Sequence, residues 1–435
     1  MKIAVIGSGV SGLVCAHLLD REHEVTVYEA DDRPGGHTHT VSVPTPSGAE
    51  QPIDTGFIVF NDRTYPGLER LLGELGVAWA DTDMSFSVSD ERSGLEYAGG
   101  LGLGALLAQP ANAVCPSFLR MVRDILRFNR EAQTLLSGSG DGDIPVGRYL
   151  DRGGYSREFT EYHLVPASAA IWSADPEQLR EEMPIGFLVR FFDNHGMLAV
   201  RGRPQWRYIP GGSRRYVEAI VERLRGELRL ATPVESVARD DDGVTVKATG
   251  RDAERYDEVV LACHADQALA MLDDADADER RLLGAFGFRP NEAVLHTDER
   301  LLPTARRAWA SWNYHLSEGS REPTLTYHMN RLQRIESERE YCVTLNRSEA
   351  IDPATVLATV DYQHPVYTRA GVAAQREHAT LIRHRRTSTC GAWWRWGFHE
   401  DGVQSALRVC EAFGAGLDGL TADTPERELV PAGAA

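Results

Sequence analysis

The first thirty residues leave this chain the fewest options. Lys2 to Ile6 is a short apolar run rich in β-branched residues that breaks at Gly7. Apolar residues then recur at helical spacing through Val10, Leu13, Val14 and Leu18, and Glu24 to Glu29 alternates as a second strand. A strand, helix and strand this close together imply two parallel strands joined by a right-handed crossover. The turn between the first two elements reads Gly7-Ser8-Gly9-Val10-Ser11-Gly12. At such a turn the first glycine permits the tight bend and the second lets the backbone approach a pyrophosphate. The third lets helix and strand pack closely, and the N–H groups of the helix N-terminus face the anion. Glu29 follows Gly7 by 22 residues. A carboxylate there accepts hydrogen bonds from ribose hydroxyls and repels a 2′-phosphate, which disfavours NADP.

Composition narrows the class. At 435 residues the chain is long enough for two connected domains. With 42% hydrophobic and 25% charged residues it reads as an ordinary folded protein. A formal charge of −18 argues against a nucleic-acid partner, whose phosphates it would repel, and leaves a small apolar or cationic substrate. Cys15, Cys115, Cys263, Cys342, Cys390 and Cys410 show no paired spacing, so neither a disulfide framework nor a metal site is indicated and a cytoplasmic location is expected. Glycines and His17 interrupt the apolar opening, so no signal peptide is expected, and no stretch approaches a membrane span.

Along the chain, a strand pair is expected near 39–45 and 51–60, and helices at 64–75, 117–136 and 176–192. On the second of these, Leu119, Val122, Leu126 and Phe128 are read as the apolar face, beside Arg120, Arg123, Arg127 and Arg130. Those arginines suggest contact with acidic lipid or an acyl carrier, against the plainer reading of a solvated face. Strand signals return between 232 and 263 as a small three-stranded layer ending in a buried parallel strand, Val259 to Ala262. Residues 387–417 read as a strand, an aromatic loop and a helix. The expected architecture is α/β: a Rossmann-like domain, with a parallel sheet and a small three-stranded layer, from residues 1–80, 205–275 and 385–425. It is interleaved with a mixed α+β substrate domain from 81–204 and 276–384.

Glu29-Ala30-Asp31-Asp32-Arg33-Pro34-Gly35-Gly36-His37-Thr38 extends the glycine turn with an acid, an arginine and a Gly-Gly pair. This extension resembles the opening of the FAD-dependent amine oxidase superfamily, which includes monoamine and polyamine oxidases, phytoene desaturases and flavin-dependent fatty-acid isomerases. The resemblance continues through Asp54-Thr55-Gly56-Phe57, the turn Pro210-Gly211-Gly212-Ser213, Val234 with Ala262, and Gly391 to Val403 (GAWWRWGFHEDGV). The phrases DTGFIVFN, NEAVLHTD, ASWNYH and GFHEDG are similar to those of a bacterial subgroup of FAD/NAD-binding, amine-oxidase-like proteins. It implies a glutathione-reductase-like fold and bound FAD. The implied contacts are Gly7, Gly9, Val10, Ser11, Gly12, Glu29, Ala30, Arg33, Gly35, Gly36, His37 and Thr38 at the N-terminal end. Thr55, Gly56, Phe57, Val234, Ala262, Gly391, Glu400, Asp401, Gly402 and Val403 complete the set.

By the same resemblance the reaction is removal of a hydride from a C–H bond by the flavin, with a helix starting near Gly402 aimed at the charge the ring acquires. Val403, Leu407, Cys410 and Leu417 are read as that helix's buried face. Trp393, Trp396, Phe398 and His399 would line the substrate side, where rings clamp an apolar or cationic molecule; the alternative is a loop packed between domains. His37, His39 and His399 are candidate general bases or hydrogen-bonding groups. Two departures weaken a direct transfer of amine oxidation. The strand that carries a lysine in many relatives reads Asn291-Glu292-Ala293-Val294, and the acid after the C-terminal glycine pair gives way to the Trp393 region. The expectation is therefore oxidation or desaturation of a fatty-acyl or isoprenoid-like substrate. Its rivals are a redox-neutral double-bond isomerase, an amine oxidase, and an escort-type carrier on the same fold, which would have lost the glycines that this chain keeps.

Overall fold

The computed structural model describes residues 1–45, 48–137, 142–172, 174–199, 202–317 and 324–417. The opening strand Lys2–Ile6 lies at the centre of a five-stranded parallel sheet, between Glu24–Tyr28 and Glu258–Leu261. Glu227–Arg229 and Thr387–Thr389 form the two edges. Its central strands are apolar and buried nearly throughout, as a parallel sheet covered on both faces requires. The Val10–Leu19 helix is covered on almost every side, only His17 reaching partial exposure. It packs against the His399–Glu411 helix, where Ser11 Oγ donates to the Gly402 carbonyl at 2.9 Å. A Cβ on Gly402 would stand 2.6 Å from Val10 Cγ1, so a larger residue would force the two helices apart. The glycine turn at one end of the chain and the helix near the other therefore meet.

Val234–Asp240, Gly243–Ala248 and Glu254–Tyr256 form a separate antiparallel layer. Arg239 fastens it to its neighbours: the buried guanidinium pairs with Glu279 and Asp274 and donates to Thr387 Oγ1 at 2.9 Å.

A third, seven-stranded sheet runs Val356–Val366, Gly287–His296, Cys342–Leu345, Thr324–His328, Trp312–Leu316, Phe86–Asp90, Glu96–Gly99. Trp312 lies opposite Phe86 on one neighbour and Tyr327 on the other. Directly opposed residues share a face, so these three rings form a row across the sheet. Helices Pro116–Leu136, Val165–Trp172 and Ile185–Asn194 contribute the apolar residues that pack with it. Among the described residues no helix is long and apolar enough to cross a membrane.

Several local expectations need correction. The helix expected over 176–192 is two, Pro176–Glu182 and Ile185–Asn194, because Pro184 has no N–H for a continuous helix and its ring would crowd the preceding turn. The second half of the strand pair ends at Asp54; Val59–Asn61 belongs to a different small sheet. On Pro116–Leu136 the buried face is Phe118, Met121, Phe128 and Ala132, whereas Leu119 and Leu126 point outward. The C-terminal helix begins at His399, three residues before Gly402, and ends at Glu411, leaving Leu417 beyond it though still buried.

Candidate functional site

A cavity of about 1310 Å³ runs from the glycine turn to the aromatic row, larger than the roughly 300–1,000 Å³ usual for one small ligand. It has room for a dinucleotide and a substrate together.

At one end, Gly7 adopts φ +102 and its N–H donates to Tyr28 O at 2.8 Å. A Cβ on Gly12 would lie 1.9 Å from Gly7 O, so that glycine is required for the close packing of helix on strand. A Cβ on Gly9 would meet nothing: its open side faces the cavity. Glu29 accepts from Ser8 N at 2.8 Å, Ser8 Oγ at 2.5 Å and Asp31 N at 3.0 Å, holding its carboxylate at the rim beside Ala30. Gly36 crosses over Gly9, and Gly35 N donates to Ser8 O at 3.0 Å. This leaves a groove of bare backbone, with the N-terminus of the Val10–Leu19 helix beneath it, which fits a pyrophosphate. Arg33 lines the groove but spends donors on Gly36 O (2.9 Å) and Thr38 O (3.3 Å), fixing its own loop. Val234 and Ala262 line the same end of the cavity.

In the middle, the chain passes twice side by side. Phe57 N donates to His37 O at 2.8 Å and Thr55 N to His39 O at 2.9 Å, and a Cβ on Gly56 would sit 2.1 Å from His37 O. Buried Asp54 anchors this crossing by accepting from Thr40 Oγ1 (2.6 Å), Ser213 N (2.9 Å) and Gln333 Nε2 (3.1 Å). Burial nevertheless pushes its carboxyl up to about 6, against the lowering effect of the bonds from Thr40 and Ser213. His399 stacks on Phe57 with ring centres 3.6 Å apart, and its Nε2 meets Thr38 Oγ1 at 2.9 Å and Tyr216 OH at 3.2 Å. Burial drives it down to about 3, so it is a neutral hydrogen-bonding group in the wall and a poor base. His39, bonded to Thr55 Oγ1, is held at about 4 by burial and Arg33. His37 is stacked on Tyr362 and pushed well below its ordinary value, first by burial and then by His364 and His264.

The aromatic loop divides its rings. Trp393 donates to Cys263 O at 3.1 Å, near Ala262, while Trp394 turns away and stacks on His378. Trp396 and Phe398 face the far end, packed with Phe191 and His195. Trp172 Nε1 fixes the loop by donating to Trp396 O at 2.9 Å. The far end is closed by the Phe86–Trp312–Tyr327 row, with His163 and His195 held at about 4 by burial. Neither lysine lines the cavity, and Asp83 at its rim is paired with Arg331 and Arg334.

Some residues named from sequence stand behind the wall. Thr38 and Thr55 hold His399 and His39. Glu400 accepts from Gly67 N and Leu68 N, both at 2.9 Å, capping the Pro66–Leu75 helix; Asp401 accepts from Phe398 N at 2.9 Å; Val403 is core. Burial raises Glu400 to about 7 and Asp401 to about 6. Asn291 to Val294 lie within the seven-stranded sheet, where Asn291 Oδ1 accepts from Asn346 Nδ2 at 2.8 Å. Tyr362, His364, Trp312 and Tyr327 also line the cavity; no local motif marks them for it, and Trp312 falls only within the phrase ASWNYH.

These buried groups imply a pH response. His163, His195, His364 and His399 titrate well below the ordinary ~6.5 when folded, so the unfolded chain takes up protons first as pH falls and stability is lost below about 6.5. Asp54, Glu400 and Asp401 act oppositely over about 4 to 7 by comparable shifts, but the lowered histidines outnumber them, His39, His296 and His378 being held down as well. Thermal melts should therefore show the midpoint falling by about 5 °C or more between pH 7 and 5. A midpoint that rises would mean the carboxyls dominate.

Comparison with known proteins agrees with this arrangement. Residues 10–412 match the family described as flavin containing amine oxidoreductase. The flavin-dependent L-tryptophan oxidase RebO of Lentzea aerocolonigenes is 28% identical over 267 residues, 56% of this chain and only about half, 54%, of that relative. The fold is shared with cyclohexylamine oxidase from Brevibacterium oxydans IH-35A, at a TM-score of 0.69 and 17% identity over 95% of this chain and 99% of the other. It is shared also with a CLA-producing fatty acid isomerase from P. acnes, at 0.63 and 15% over 98% of both. A dinucleotide groove that opens into an apolar chamber is what FAD and its substrate require, and with a match across nearly its whole length the chain belongs to the flavin-containing amine oxidoreductase family, with FAD as its cofactor.

Proposed function

We propose that the protein oxidises a neutral, largely apolar molecule at a C–H bond, with residues 1–80, 205–275 and 385–425 holding FAD and 81–204 and 276–384 holding the substrate. Bound FAD supplies the two-electron acceptor. The observation that carries the reading is the far half of the cavity, which the row Phe86, Trp312 and Tyr327 lines together with Trp396 and Phe398 while the histidines His163 and His195 are kept uncharged. Such walls exclude water and hold a fatty-acyl or isoprenoid-like chain by area alone, and burying a charge there without a partner would be costly. Gly9, Gly36 and Glu29 orient the dinucleotide; Phe57 and His399 form a stacked wall beside the crossing at Gly56.

A second reading, oxidation of an aliphatic amine that carries an aromatic side chain, is favoured by the relative named as an L-tryptophan oxidase together with the same ring row. The absence of a lysine from the cavity lining weighs against carrying over the lysine-assisted form of that chemistry. Anaerobic titration of the yellow holoprotein with uncharged fatty-acyl esters, polyenes and amines tests both. Bleaching of the flavin by neutral apolar compounds is expected. Bleaching by amines alone overturns the first reading in favour of the second. Turnover with no acceptor consumed and product mass equal to substrate mass would mean a redox-neutral isomerisation.

A further inference from the structure

The outward face of the Pro116–Leu136 helix has a composition unlike the rest of this acidic chain. Leu119, Arg123, Leu126 and Arg130 recur every three or four residues and fall within about 60° of arc on an α-helix. Leu119 and Leu126 are 49% and 52% exposed, the Arg123 side chain is 70% exposed, and Arg130 is exposed too. Val114, 79% exposed, stands just before the same helix. The helix's two acids are turned to other work: Asp124 is buried and accepts from Ser156 N at 2.9 Å, and Glu131 accepts from Tyr155 OH at 2.5 Å and Arg127 Nε at 2.8 Å. Arg123 also reaches the buried Asp124 Oδ1 at 3.3 Å, but on a chain of net charge −18 no residue of the exposed stripe is itself a carboxylate. Leu126 also lines the cavity, which places the stripe at the cavity's rim.

We propose that this stripe docks the protein on a bilayer of anionic phospholipid, with the rim at Leu126 brought down to the acyl chains. The arginines match anionic headgroups, and the leucines gain by leaving water for the boundary beneath them. An acidic carrier protein would satisfy the arginines but give half-exposed leucines and Val114 no comparable apolar medium, so the bilayer is favoured. The surface stands independently of the substrate reading, because docking is measured without turnover.

The test is co-sedimentation of the FAD-loaded protein with vesicles of phosphatidylcholine alone or carrying about a third phosphatidylglycerol. Partitioning onto the anionic vesicles, released by high salt, is expected. Arg123→Glu with Arg130→Glu should weaken it about tenfold or more, and Leu119→Asp should weaken it too. The flavin spectrum of each variant checks that it is folded, and the arginine pair serves if the leucine variant is not. No sedimentation with either vesicle, partitioning that survives both variants, or capture by an acidic acyl carrier protein with no vesicle binding would overturn the proposal.

Discussion

Gly9→Val is expected to yield a folded but colourless protein, with FAD affinity reduced at least ~100-fold, about 2.7 kcal/mol. A Cβ at this position meets no protein atom within 4 Å, and φ −65 is open to valine, so the backbone accepts the substitution. The bulk projects into the groove under Gly36 that the pyrophosphate must use. Gly12→Val makes the matched contrast. Its Cβ would land 1.9 Å from Gly7 O and 3.1 Å from Ala262 Cβ, so it should destabilise the sheet itself and give little soluble protein. Absorbance after FAD reconstitution, together with circular dichroism, separates the outcomes. A Gly9→Val protein that stays yellow would mean the dinucleotide runs elsewhere.

The second large effect is on stability. Arg239 and Glu279 are 2% and 3% exposed, and Arg239 joins the antiparallel layer, the Ala277–Leu283 helix and the edge strand Thr387–Thr389. Arg239→Met leaves the buried Glu279 carboxylate only the partly exposed Arg385 at 3.9 Å and should cost about 3 kcal/mol in urea unfolding. Adding Glu279→Gln removes that poorly paired charge while keeping the acceptor that caps Asp276 N, so the double variant should regain at least half the loss. A loss under about 1 kcal/mol for the single variant would show that water reaches the pair.

What the sequence disclosed and what it hid differ in range. Residues 2–29 could be read because periodicity is local and so is the sharpest of the glycine contacts, a Cβ on Gly12 striking Gly7 O five residues earlier. The substrate wall could not, because Phe86 becomes a neighbour of Trp312 only through a parallel pairing that no local pattern encodes. The helix after Pro116 misled for a different reason. It is apolar on two sides, and Leu119 and Leu126 follow helical spacing as well as Met121 and Phe128 do. Glu400 illustrates the third kind of failure: it sits in a cofactor motif, yet its carboxylate is taken by the start of a helix 333 residues earlier in the chain. Chemistry told which residue could bind an anion or a ribose; only packing told which one was left free to do so.

The central sheet sets an order of events during synthesis. Its first strand can pair with Glu24–Tyr28 almost at once, but its other neighbour arrives with Glu258–Leu261 and the edge beyond that only with Thr387–Thr389. Such distant partners make for slow closure and a long interval in which apolar strand edges are uncovered. The strand Thr387–Thr389 must leave the ribosome before this sheet is whole, so uptake of the yellow cofactor has to wait for a segment made long after the glycine turn.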